Sequence, residues 1–137
     1  MIDYYYKTIG ELVEINVEAN SIAESRRLIS EINERENILM KLREEVRRDI
    51  RSLESNFLKE KARLRTKYSM KQNSGLASII MGSPKKKLIK ELKSLESKSN
   101  RDIEELKHIR CVIDDLLIQF NDLREPLNSS MRARFGN

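Results

Sequence analysis

The sequence predicts an all-α protein, a long antiparallel two-helix coiled-coil hairpin with an N-terminal helical overhang, and three observations lead there. Glycine and proline are scarce, four and two in 137 residues, too few to punctuate the turns of a sheet protein. Charged residues make up 36% of the chain, and apolar residues recur between them at steps of three and four, the pattern of long or coiled-coil helices. Neither glycine nor proline occurs between Glu11 and Asn73, or between Lys85 and Glu125. Two long helices in one elongated domain are therefore expected.

Helix one is expected over residues 4–71 and a loop over residues 72–84, where Gly75 and Gly82 stand in a segment with no charged side chain. Ser83 followed by Pro84 then supplies an N-cap hydroxyl and a residue whose missing amide costs nothing in a first helical turn. Helix two is expected from there to residue 124. Pro126 disfavours the helical conformation at Glu125 and removes an amide donor, which leaves residues 126–137 as a flexible tail.

Helix two carries Leu88, Leu92, Leu95, Ser99, Asp102, Leu106, Ile109, Ile113, Leu116, Phe120 and Leu123 at alternating steps of four and three. Such a stripe stays on one side of a supercoiled helix and needs a partner. Helix one offers Ile32, Leu39, Val46, Ile50, Leu53, Phe57 and Leu64, interrupted by Glu36, Arg43 and Glu60. A turn centred near residue 77 or 78 sets Leu53 beside Asp102 and bulky Phe57 beside small Ser99.

Helix one outruns helix two, and its overhang keeps an apolar seam at Leu12, Ile15, Ala19, Ile22 and Ile29. The step pattern slips to consecutive threes between Arg26 and Ile32, a change that rotates the stripe. A second copy of the chain is the expected cover, since most soluble oligomers are symmetric dimers. An internal alternative exists. Ser21 with Glu24, or Asn33 with Glu36, can form a capping box that breaks helix one and lets its start fold back. A different protein on the overhang is the third option.

The net charge of +5 conceals an uneven distribution. Residues 1–31 carry net −3 and residues 102–137 net −2, whereas residues 59–101 carry thirteen basic side chains against Glu60, Glu91 and Glu96. Arg63, Arg65, Lys67, Lys85, Lys86, Lys87 and Lys90 are the candidate anion or nucleic-acid contacts. Lys85, Lys86 and Lys87 are the most telling, because they occupy a first helical turn, where the helix dipole disfavours cations. A solvated helix face is the ordinary explanation for such charge. Between the basic arms, Leu76, Ile79, Ile80 and Met81 form a candidate apolar tip. It can close the coiled coil, dock in a partner, wedge between base steps, or dip into an anionic membrane interface.

Chemistry finds little purchase. His108 and Cys111 lie three apart with Glu104 and Asp115 nearby, but all four face outward in the heptad frame and no further His or Cys completes a metal site. Gly75 and Gly82 do not make a phosphate-binding loop, and no nucleophile sits beside a base in a walled pocket. No catalytic, cofactor or metal residue is assigned, no cofactor is expected, and no small-molecule substrate. A single cysteine, no apolar run long enough to span a bilayer and no basic-then-apolar N-terminal leader point to a cytoplasmic protein. The expected function is a non-catalytic adaptor or scaffold that self-associates as a homodimer or higher homo-oligomer and presents its basic, apolar-tipped loop to a protein partner. Nucleic acid and an anionic membrane surface are the alternative partners of the same tip.

Overall fold

A computed structural model describes residues 1–15, 18–72 and 84–135. Over these residues the chain is all-α: α1 (Ile2–Val13), α2 (Ile22–Gln72) and α3 (Pro84–Phe135), with no strand. They divide into two units, Met1–Arg47 with Lys107–Asn137, and Arg48–Leu106.

Helix one is not continuous. Ser21 ends the break before α2, its Oγ accepting the Glu24 amide at 3.2 Å while Glu24 Oε2 accepts the Asn20 amide at 2.6 Å. This reciprocal pair satisfies amides at a helix start that have no carbonyl partner of their own, so a new N-terminus is stable where an unbroken helix was expected. Ser21→Ala is expected to cost about 1 kcal/mol. Hydrogen exchange should then show the amides at the start of α2 losing protection; unchanged protection would deny Ser21 a capping role.

α1 belongs to the first unit and buries one stripe, Tyr5, Ile9 and Leu12, spaced four and three apart as a helix face requires. Arg35 Nη1 on α2 donates to the Leu12 carbonyl at 2.8 Å and the Glu11 carbonyl at 3.3 Å. These are carbonyls at a helix end, which lack intrahelical donors. Of the overhang residues expected to meet a second chain, Leu12 is thus 7% exposed within a single chain, and neighbouring Leu28 is 2% exposed. Ile15, Ala19, Ile22 and Ile29 are half-buried.

In the same unit, Ile32, Leu39, Val46, Ile109 and Ile113 are completely buried. Arg124 Nη1 donates to Glu36 Oε2 at 2.7 Å and Asn33 Oδ1 at 2.8 Å, and Arg43 Nη1 pairs with Asp114 Oδ1 at 3.2 Å. The order of these pairs runs in opposite directions along α2 and α3. Glu36 and Arg43, the polar interruptions of the apolar seam, therefore serve as ion-pair partners. Arg43 keeps its Nε buried without a hydrogen-bond partner.

Helix α3 is described from Pro84, and the expected Ser83 cap lies outside the described residues; the helix does not stop near residue 124. It runs through Pro126 to Phe135. Pro126 is exposed, as is Asp122, whose carbonyl loses its amide donor, so water can replace the missing bond and the usual cost of an interior proline is reduced. The half-buried positions Leu123, Leu127 and Met131 continue one stripe beyond the proline. Residues 126–135, expected as tail, are helix.

The second unit is packed more loosely. Ile50, Leu64, Tyr68, Ile103 and Leu106 are buried, but the seam residues Leu53, Phe57, Leu88, Leu92 and Leu95 remain half-buried.

Candidate cationic contact surface

Unit two is built from the later part of α2 and the earlier part of α3, and all seven residues assigned to anion contact fall within it. Arg63, Arg65, Lys67, Lys85, Lys86, Lys87 and Lys90 are all exposed, together with Lys59, Lys93, Lys98 and Arg101. The apolar tip residues Leu76, Ile79, Ile80 and Met81 lie outside the described residues.

Leu53, Asn56, Phe57 and Glu60 of α2 and Leu95, Lys98, Ser99 and Asp102 of α3 line one open groove of about 240 Å³. Leu53, Phe57, Ser99 and Asp102 are the residues expected to face one another across the seam. The groove exists because Ser99 and Asp102 stand where the stripe of α3 would otherwise carry apolar side chains; a hydroxyl and a short carboxylate cannot fill the space that leucines occupy. Small Ser99 was a steric match for Phe57 on the sequence alone, but the pair leaves room.

Helical spacing sorts the cations by face. Lys59, Arg63 and Lys67 succeed one another at four-residue steps on α2, and Lys59 and Arg63 lie one turn from the groove residues Asn56 and Glu60. On α3, Lys98 lines the groove and Arg101 follows one turn later, while Lys87 and Lys90 border a neighbouring open depression with Glu91 and Ser94. Arg65 and Lys85 stand two residues from Arg63 and Lys87, about 200° around their helices, and so point away from this face. The predicted cationic set is therefore split, and Lys59, Lys98 and Arg101 join the part beside the groove.

Two of the acidic side chains on this face, Glu60 and Glu91, are engaged, while Asp102 also lines the groove. Glu60 Oε2 accepts two hydrogen bonds from Arg63, from Nε at 3.1 Å and Nη2 at 3.0 Å, and this hydrogen bond with its ion pairing holds the guanidinium even more firmly protonated than usual. Glu91 Oε1 accepts the Tyr68 hydroxyl at 2.7 Å. The two aromatic rings of the unit carry lysines of their own, Lys61 Nζ at 5.7 Å from the Phe57 ring centre and Lys67 Nζ at 5.5 Å from that of Tyr68.

The Tyr68 hydrogen bond to Glu91, followed by burial, raises the phenol above its ordinary ionisation range. The protonated phenol is the form the fold favours. Its stabilising contribution is complete below the unfolded tyrosine value of about 10 and is lost as pH climbs through the higher folded value. Spectrophotometric titration of the chain minus its Tyr68→Phe variant should give a tyrosinate curve with its midpoint above about 10. A midpoint at or below that value would mean that the hydrogen bond does not persist in solution.

His108, Cys111, Glu104 and Asp115 are all exposed, and among the described residues no group of three or more His, Cys, Asp or Glu side chains is placed to hold a metal ion. No helix among the described residues is long and apolar enough to cross a membrane. No protein-family model, no curated protein and no solved structure matches the chain.

Proposed function

We propose that the chain is a non-catalytic helical adaptor, built as an antiparallel coiled-coil hairpin, that engages an anionic partner through the cationic face of its second unit. One observation carries this reading: exposed lysines and arginines flank a seam that the chain leaves half open, while Glu60 and Glu91 on the same face are occupied by Arg63 and Tyr68. Charge arranged only for solubility has no need to gather around an unfilled apolar groove. Self-association through the N-terminal segment has weaker support, because Leu12 and Leu28 are buried within one chain.

The concentration of basic residues between 59 and 101 also favours a second reading, contact with the phosphate backbone of nucleic acid. Fluorescence anisotropy of the labelled chain with a random 20-base-pair duplex and with poly-glutamate, at low and high salt, tests both. Binding to at least one polyanion that weakens steeply with salt is expected. Absence of binding to either at low salt would contradict a contact role for the cationic face.

A further inference from the structure

The groove of unit two has a shape and chemistry that narrow the kind of partner, and this step rests on reading the cationic face as a contact surface. Its floor is mostly apolar, formed by half-buried Leu53, Phe57 and Leu95, with Ser99, Asp102 and the Arg63-paired Glu60 beside them. Its α3 rim carries Lys98 and, one turn on, Arg101; its α2 rim carries Lys59 and Arg63. Two helices side by side with an open apolar groove between them and cations along both rims fit a third helix with an apolar stripe and carboxylates on either side of it.

We infer that unit two binds an acidic amphipathic helix of a partner protein along this groove. Its apolar side chains rest on Leu53, Phe57 and Leu95, and its carboxylates meet the rim cations, as in helix-in-groove recognition. Charge decides against the other occupants. A second copy set groove to groove would bring its own Lys59, Arg63, Lys98 and Arg101 to the same place, setting like charges together. A phosphate backbone would satisfy the cations but offers no apolar surface for Leu53, Phe57 and Leu95, so the floor would gain nothing from it.

A synthetic 28-residue heptad peptide with Leu at the two core positions and Glu at the flanking positions serves as the probe, since its own glutamates repel one another and discourage self-pairing. The comparisons are the same peptide with Lys in place of Glu, and a 20-base-pair duplex. The full-length chain should bind the Glu peptide one to one, at least about tenfold more tightly than the Lys peptide, with the preference shrinking as salt screens it. Lys98→Glu with Arg101→Glu should reverse the preference. Ser99→Leu fills the groove; it should raise the melting temperature and weaken the Glu peptide at least about tenfold, which separates loss of the groove from loss of the fold.

Equal binding of the two peptides, or undiminished binding by Ser99→Leu, overturns the inference. Binding of the duplex without binding of the Glu peptide also overturns it, yet leaves the cationic contact surface standing. Failure of every anion to bind removes both.

Discussion

Ile113→Ala lowers the stability of the chain by about 2–5 kcal/mol, whereas Leu95→Ala lowers it by only about 1 kcal/mol. Both residues occupy the same heptad stripe of α3, and from sequence they are equivalent. Ile113 is completely buried, however, and its deletion leaves a cavity in the first unit. Leu95 is half-buried in the floor of an open groove, so water already reaches it and less is lost. Urea unfolding of the two variants measures the contrast. Equal costs would mean that the second unit packs as tightly as the first, and the groove would lose its standing as a place for a partner.

The second large effect is electrostatic. Replacing Lys87, Lys90, Lys98 and Arg101 together by Gln should leave helicity and melting almost unchanged, since all four side chains are exposed. Affinity for polyanions at about 0.1 M salt should nevertheless fall at least tenfold, and on duplex DNA the slope of log affinity against log salt should flatten by up to about 0.9 for each contact removed. Anisotropy titrations at several salt concentrations read both quantities. An unaltered slope would assign these residues to solvation alone.

Much of the local structure was legible in the sequence, and the exceptions have identifiable causes. The all-α fold follows from the scarcity of glycine and proline and from apolar spacing at three and four. The capping box at Ser21 and Glu24 was visible too, but it competed with an uninterrupted run free of glycine and proline. Only the folded chain, in which α1 buries Tyr5, Ile9 and Leu12 and Arg35 holds its last carbonyls, decides for the break. Pro126 misled for the opposite reason. A proline reads as a stop because its ring and missing amide cost energy in a packed helix, yet here Pro126 and Asp122 are both exposed while Leu123, Leu127 and Met131 continue the stripe.

The candidate site was partly readable. Its charge stood out because basic residues cluster along the sequence, but which cations share a face depends on helical phase and on the seam that faces the partner helix. That separates Arg63, beside the groove, and Lys87, on the neighbouring depression, from Arg65 and Lys85. The groove itself had a faint signal in Ser99 and Asp102, two polar residues in an apolar stripe. Sequence alone does not distinguish a small residue that accommodates a neighbour from one that leaves space beside it.

Amide chemical-shift mapping of the isotopically labelled chain during titration with poly-glutamate tests the cationic contact surface most directly. Perturbations concentrated in residues 56–67 and 87–101, reversed by added salt, are the predicted result. Perturbations centred on α1 or on the first-unit part of α3, with unit two unmoved, would contradict it.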